Sequence, residues 1–374
     1  MEREIYENLC YMYWDIYNSP ELQALSPNTT HPSAIQYSSF VLSIITCIIG
    51  LPANIIVIFV TGFSMKKNKY KIWFLNLALA DFNLLLFLPF YAESIRKGEW
   101  PYSSFMCQLY HFFTFLNMYA GIYMLTALNI VRALSVAKPI WHRRFHSWKF
   151  CWCTCAVIWV LAVIGSTPVV FSDVNGGKLC SLSFYDPKHL ANISSFNSEK
   201  NQTLHLLPRE DCKYVSVSDP EVKKTWNNMV NTKTHLVARL SVLGYGVPLC
   251  VILLCNIIIA HHVKNSKMAT SSRLYRLIIV TVMSFFCTRT PYVLAFITFL
   301  VFLSTMKFSL MYKLSIAMPM LFSIAATKSL LNPLVYVLIV KEVKSEIGNF
   351  LGRRRNSMRA TERRESFGLN QSIM

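Results

Sequence analysis

One run of apolar residues, LYRLIIVTVMSFFCTRTPYVLAFITFLVFL at positions 274–303, is long enough to cross a lipid bilayer as a helix. The run contains Arg289, two residues before Pro291. A charged side chain at mid-membrane is costly unless it pairs with another group or lines a wet cavity. Two questions follow: whether the rest of the chain also crosses the membrane, and what Arg289 contacts.

Six further runs of the same kind answer the first question. With the run above, they occupy residues 36–62, 72–95, 105–137, 149–171, 235–262, 274–303 and 311–340. The chain is 53% hydrophobic and only 15% charged, whereas soluble chains are about a quarter charged. We therefore predict an all-α membrane protein, a seven-transmembrane helix bundle.

The lysines and arginines of the short loops predict the orientation, because basic loops stay in the cytoplasm. They cluster at 66–71, 143–149 and 264–273 and again in the C-terminal tail. The N-terminus is therefore expected outside and the C-terminus inside. The formal charge of +18 then faces anionic membrane lipids for the most part, and we expect no nucleic-acid partner.

Four parts make up the predicted chain. They are an extracellular N-terminal segment (1–35), the bundle (36–340, with a long second extracellular loop at about 172–234), an interfacial helix (341–352) and a cytoplasmic tail (353–374). The acidic start has no apolar core of signal-peptide type, so we expect it to be retained. The long loop favours partner contact, with a plain spacer as the alternative. Apolar residues at helical spacing predict the interfacial helix.

Modification sites are expected on both sides of the membrane. Three sequons lie on the predicted outer side, at Asn28, Asn192 and Asn201. A fourth, at Asn370, lies inside and is read as a chance match. The tail has hydroxyl residues near arginines at Ser357, Thr361, Ser366 and Ser372. Phosphorylation there would recruit an arrestin-like partner, and a plain solvated tail is the alternative.

Four of the eleven cysteines lie on the predicted outer side, which is the oxidising one: Cys10, Cys107, Cys180 and Cys212. The tight VNGGK turn at 174–178 would place Cys180 back over the bundle and favours its pairing with Cys107. Cys10 and Cys212 then form a second bridge or stay free. The cysteines of CWCTC, at 151–155, alternate along a predicted helix and point to different sides, so we expect no metal site.

Ordered motifs resemble those of the rhodopsin-like (class A) G-protein-coupled receptors over residues 36–352. They are GLPAN with Asn54, LNLALAD with Asp81, WPYSSFMC ending at Cys107, Trp159, Pro168, Pro248, Pro291, and NPLVY with Asn332, Pro333 and Tyr336. Within that family, WFLNLALAD, GEWPYSSFMC, FLNMYAGIYMLTAL and AKPIW are most similar to chemoattractant receptors, above all the complement anaphylatoxin receptors.

The resemblance implies a multi-pass receptor of the plasma membrane with an extracellular peptide or protein ligand and a heterotrimeric G protein of the inhibitory type. It also implies that Arg132, Asn332, Pro333 and Tyr336 act in activation and G-protein coupling. The chain has no inverted repeat, phosphate-binding glycine loop or nucleophile triad, so we expect neither a transporter nor an enzyme, and no cofactor.

Several positions depart from the family pattern. Val131 precedes Arg132 where the family has an acid that holds the arginine at rest, and Asn256 replaces a tyrosine. An atypical or scavenging receptor with weak or no G-protein activation is therefore the alternative. Arg239 is similar to a ligand-binding arginine but is rotated by about 100°. Met318 replaces the accompanying acid, which argues against a ligand that ends in arginine.

Lys328 lies one helical turn before Asn332, so the two share a helix face. In the family, the position of Asp81 helps to bind sodium with polar groups that remain here as Asn117, Ser329 and Asn332, whereas Gly121 lacks the expected hydroxyl. We hypothesise that the Lys328 ammonium replaces sodium as the counter-charge of Asp81. A lysine that reaches water through a water chain is the alternative.

Arg289 stands where the family has a tryptophan switch, and it then has no obvious acidic partner. It binds either backbone carbonyls and water, or an anionic group of the ligand. Tyr292 and Arg239 would complete an anion-binding pocket. A receptor for a small anionic ligand is therefore a further alternative.

Overall fold

The computed structural model describes residues 7–8, 11, 33–65, 69–97, 100–171, 230–231, 234–235, 237–265, 273–339 and 348, and every regular element within them is helical. In chain order the helices are α1 Ala34–Phe59, α2 Lys71–Lys97, α3 Ser104–Ala137, α4 Pro139–Phe145, α5 Trp148–Phe171, α6 Val247–Asn265, α7 Arg273–Ser304, α8 Phe308–Ala326 and α9 Lys328–Ile339. Two π-helical segments, Val60–Ser64 and Val242–Gly246, adjoin α1 and α6.

Seven spans in the described part of the chain are long and apolar enough to cross a membrane, which confirms the predicted seven-helix bundle. The seventh span differs from the prediction, because its single apolar run is two helices, α8 and α9, separated at Thr327. The short helix α4 lies between the third and fourth spans and carries His142, Arg143 and Arg144 in its last turn.

A capping box starts the first span. The Ser33 hydroxyl accepts from the Gln36 backbone N–H (3.3 Å), and the Gln36 side chain accepts from the Ser33 N–H (2.8 Å). These bonds satisfy backbone donors that the first helical turn leaves unpaired. Helix α1 therefore begins at Ala34 for a local reason that its sequence carries.

Helix α3 is the centre of the bundle and packs against α2, α5, α6 and α7. Helix α9 packs against α1, α2 and α7. Trp159 of α5 donates its indole N–H to the side-chain oxygen of Asn76 in α2 (2.9 Å), so a polar bond joins the second and fourth spans. This arrangement brings the inner faces of α2, α3, α7 and α9 together in the interior of the bundle.

Pro333 in α9 has no N–H, so the Ser329 carbonyl one turn earlier loses its helical partner. Asn54 of α1 replaces that partner, because its side-chain amide donates to the Ser329 carbonyl (2.9 Å) and to the Gly50 carbonyl (2.9 Å). The first and seventh spans are thereby joined at the level of the buried polar residues.

Most residues of the N-terminal segment, the second outer loop, the predicted interfacial helix and the whole tail lie outside the described residues. The predicted modification sites and three of the four outer cysteines lie there too: Asn28, Asn192, Asn201, Ser357, Thr361, Ser366, Ser372, Cys10, Cys180 and Cys212. These features, and the predicted orientation, stay predictions.

Candidate functional site: a buried charged network

Asp81 of α2 is fully buried, and both of its carboxylate oxygens accept hydrogen bonds. Oδ1 accepts from Lys328 Nζ (3.0 Å), Ser329 Oγ (2.8 Å) and Asn117 Nδ2 (3.2 Å). Oδ2 accepts from Asn332 Nδ2 at 2.6 Å. A charged acceptor shortens and strengthens such bonds. We call these five residues, together with Arg289, the interior network.

Lys328 begins α9, and its side chain is fully buried. Besides Asp81, its ammonium lies 5.9 Å from the centre of the Phe285 ring. A Cβ atom added at Gly121 would lie 3.0 Å from Lys328 Nζ. Gly121 therefore leaves the space that the ammonium occupies, which gives a steric reason for the missing side chain at that position.

Arg289 of α7 is only 2% exposed. Its Nη2 donates to Asn117 Oδ1 at 3.2 Å, while the amide nitrogen of the same Asn117 donates to Asp81. One asparagine of α3 thus connects the guanidinium to the carboxylate. This partner is a side-chain amide, which neither of the two sequence-based interpretations of Arg289 named.

An aromatic layer lies beside Arg289, toward the predicted outer side, and consists of Tyr91, Tyr110, Tyr292, Phe296 and Phe322. The ring centres of Tyr292 lie 4.8 Å from Phe296 and 5.5 Å from Phe322, and Tyr91 lies 4.6 Å from Phe322 and 5.5 Å from Tyr110. Tyr292 and Tyr110 are within electrostatic reach of Arg289. Of these five residues, only Tyr292 was predicted from the sequence, because aromatic residues are too frequent in this chain to mark a site.

The predicted ligand-binding residues occupy two different environments. Arg289 and Tyr292 are buried in successive turns of α7, whereas Arg239 is exposed and within electrostatic reach of Tyr119. Met318, which stands in place of an acid, is buried. The described contacts therefore join Arg289 to the interior network rather than to Arg239.

The residues expected to act in activation lie in and below the network. Val131 is buried and Arg132 is half-buried, within electrostatic reach of Tyr70 and His142. Asn256 of α6 donates to Asn129 of α3 at 3.4 Å. Asn332 binds Asp81, and Pro333 is buried beside it; the backbone of Tyr336 is helical, and its side chain lies outside the described residues.

A cluster of titratable side chains around two histidines, which was not predicted from the sequence, lies at the predicted cytoplasmic end. The rings of His142 and His146 stack with centres 4.6 Å apart, and Lys69 donates to the His146 carbonyl at 2.6 Å. His146 Nε2 lies 3.4 Å from the Cys151 thiol sulfur. Burial, then His142 and Lys69, lower the pKa of His146 to about 4. The i, i+4 spacing of the two histidines was the available signal.

The described cysteines differ in their environment. Cys107, at the start of α3, is disulfide-bonded, and its partner lies outside the described residues. Cys151 and Cys155 are buried as free thiols, while Cys153 between them is exposed. The spacing of CWCTC therefore does place its members on different sides of α5.

Comparison with known proteins connects this geometry to a family. The family described as 7 transmembrane receptor (rhodopsin family) matches residues 53–197 and 193–336. The chain is 29% identical to the C3a anaphylatoxin chemotactic receptor of Oncorhynchus mykiss over 346 residues, 92% of this chain and 85% of the relative. It is 29% identical to chemerin-like receptor 1 of Sus scrofa over 302 residues (80% and 76%) and to chemerin-like receptor 2 of Homo sapiens over 318 residues (83% and 78%).

Proposed function

This chain belongs to the rhodopsin family of seven-transmembrane receptors, and we propose that it binds an extracellular peptide or protein ligand of the chemoattractant type and activates inhibitory-type heterotrimeric G proteins. It is a multi-pass receptor of the plasma membrane and not an enzyme. Relatives named as C3a and chemerin-like receptors, aligned over most of the chain, support the choice of ligand class.

The observation that carries the signalling role is the interior network, which joins four helices through one carboxylate. Asp81 of α2 binds Asn117 of α3 and Lys328 of α9, and Asn117 binds Arg289 of α7. A ligand that moves α9 from the outer side would therefore rearrange bonds at Asp81, and one that moves α7 would rearrange the Arg289–Asn117 bond. Such a shared set of contacts is the kind of two-state element through which binding and coupling are linked.

Screening decides the function directly. Cells expressing the chain would be exposed to complement fragments, formyl peptides and acidic lipids, with inhibition of cyclic AMP as the readout. We expect a peptide or protein to inhibit cyclic AMP, and Arg132→Ala to abolish the response while ligand still binds at the cell surface. A response that survives equally in Arg132→Ala would contradict the proposed coupling.

An atypical or scavenging receptor is the second candidate, and the burial of Val131 supports it. Val131 is 4% exposed, so the acid expected beside Arg132 is replaced by a packed apolar side chain. In that case the chain takes up ligand without a cyclic AMP response, and Val131→Asp creates or strengthens the response. Equal signalling by the wild type and Val131→Asp would count against this candidate.

We also propose that the Lys328 ammonium is a permanent counter-charge of Asp81 and replaces a sodium ion. The 3.0 Å contact between the two charged groups supports this assignment. Lys328→Asn should then make basal signalling or thermal stability depend on sodium, while the wild type stays insensitive. A folded Lys328→Asn variant that does not respond to sodium would remove the support for this role.

Further proposals concern the parts outside the described residues. They are a Cys107–Cys180 bridge, a second Cys10–Cys212 bridge, glycans at Asn28, Asn192 and Asn201, and phosphorylation at Ser357, Thr361 and Ser366 that recruits arrestin. The disulfide-bonded state of Cys107 supports the first.

A further inference from the structure

The charges on the buried side chains of the described residues do not balance. Among the described residues, Asp81, Arg289 and Lys328 are the charged side chains classed as buried, which gives two cations and one carboxylate, a net charge of +1. Lys328 contacts the carboxylate directly, so the uncompensated charge belongs to Arg289. A guanidinium stays protonated in proteins, so it cannot escape this cost by losing its proton.

The hydrogen bonds of Arg289 are also incomplete. Nη2 donates to Asn117, whose oxygen is a neutral acceptor, and Nε has no hydrogen-bond partner within the described part of the chain. Since Arg289 is 98% buried (2% exposed), water does not reach most of its side chain. A buried donor without a partner costs about 1–3 kcal/mol, and more when it is charged. Such a group is expected to have an acceptor.

We propose that Arg289 Nε donates to a small bound anion in the bundle interior, of the size of a halide ion or a carboxylate group. The phenols of Tyr110 and Tyr292 lie within electrostatic reach of the guanidinium and can supply further O–H donors. The anion neutralises the charge that Asp81 leaves uncompensated.

Two sources have this chemistry: a free halide, or the carboxylate of an extracellular ligand. The carboxylate source rests on the proposed receptor function, whereas the halide source does not. A test that measures anion binding through protein stability, and not through signalling, therefore separates the anion site from the receptor function. Failure of signalling would leave the anion site standing, and absence of anion binding would leave the receptor function standing.

The experiment measures the Tm of the full-length chain in detergent at constant ionic strength. Sodium gluconate, whose anion is much larger than a halide or acetate ion, is replaced stepwise by sodium chloride, sodium bromide or sodium acetate. We expect a saturable rise in Tm, of roughly 3–6 °C at an anion concentration about ten times its Kd. The rise should disappear in Arg289→Gln and persist in Arg143→Gln, which removes an exposed arginine of α4 as a control.

The comparison of the chloride, bromide and acetate measurements identifies the source of the bound anion. A rise with chloride or bromide supports a free halide, and a rise with acetate alone supports the carboxylate of a ligand. If Arg289→Gln does not fold, Arg289→Lys keeps the charge but lacks Nε, and it should raise the half-saturating anion concentration about tenfold or more. Equal Tm values of the wild type in all four salts, or the same anion dependence in Arg289→Lys as in the wild type, would overturn the proposal.

Discussion

Among single residues, Asp81 and Lys328 make the largest opposing contributions to stability: the cost of removing each charge from water, and the attraction between the two charges. Both side chains are fully buried, so each would pay a large desolvation penalty without the other. Ser329 and Asn332 add hydrogen bonds to the same carboxylate. Each charge can therefore be buried only because the other is present. The pair need not make the protein more stable than two apolar residues in the same positions would.

We predict that Lys328→Met destabilises the receptor by roughly 3–5 kcal/mol, because Asp81 is left as a buried charge without its partner. The double variant Asp81→Asn with Lys328→Met removes both charges and should recover most of the loss. Tm in detergent and the amount at the cell surface measure the effect. A double variant no more stable than Lys328→Met would show that the pair is not the cause.

At the scale of single helices, a backbone carbonyl that has lost its hydrogen-bond donor in one helix accepts a hydrogen bond from a side chain of another helix. Pro333 leaves the Ser329 carbonyl of α9 without a helical partner, and Asn54 of α1 supplies one at 2.9 Å. The two residues are far apart in sequence but act as one unit. Their effects on stability should therefore not be additive.

Asn54→Ala should cost about 1–3 kcal/mol, because the buried Ser329 carbonyl loses its donor. Pro333→Ala restores a backbone N–H that can bond this carbonyl, so Asn54→Ala should cost less in that background. A double-mutant cycle on Tm measures the difference. Identical costs of Asn54→Ala in both backgrounds would contradict the replacement of one donor by the other.

The corner between α4 and α5 should be sensitive to pH. His146 has a folded-state pKa of about 4, below the usual 6.5, so the unfolded chain binds its proton first as pH falls. Its contribution to stability is present above pH 6.5 and is lost as pH falls toward 4. Between pH 7 and pH 5 we expect a loss of about 2 kcal/mol.

Hydrogen exchange of the backbone amides at residues 139–151, measured at pH 7 and pH 5, reports the loss of stability in this corner. His146→Gln cannot titrate and serves as the control, since other groups of the protein also titrate in this window. The wild type should show the larger increase in exchange at pH 5. An equal increase in His146→Gln would show that another group is responsible.

At the scale of the whole molecule, the charge distribution predicts the orientation of the seven spans. Basic residues cluster in alternate loops, and the three outer sequons lie on the opposite side from them in the predicted topology. Glycosylation takes place only on the side that is outside in the mature receptor. The pattern of glycans therefore reports the orientation of the whole bundle.

Replacing Asn28, Asn192 and Asn201 with Gln should remove the mass shift that glycosidase treatment causes on a gel. Asn370→Gln is the control and should leave the shift unchanged, because that sequon is predicted to be cytoplasmic. Loss of a glycan in Asn370→Gln would show that the C-terminal tail lies outside, which would contradict the predicted orientation.

The sequence by itself determined the seven spans and the family, since length, hydropathy and ordered motifs are local properties of the chain. The spacing of Lys328 and Asn332 also placed both on one helix face, because that spacing depends on one helix alone. The break at Thr327 and the pairing of Arg289 with Asn117 were not predicted. The Arg289–Asn117 contact was decided by the tertiary structure, since it depends on which side chain of α3 faces α7.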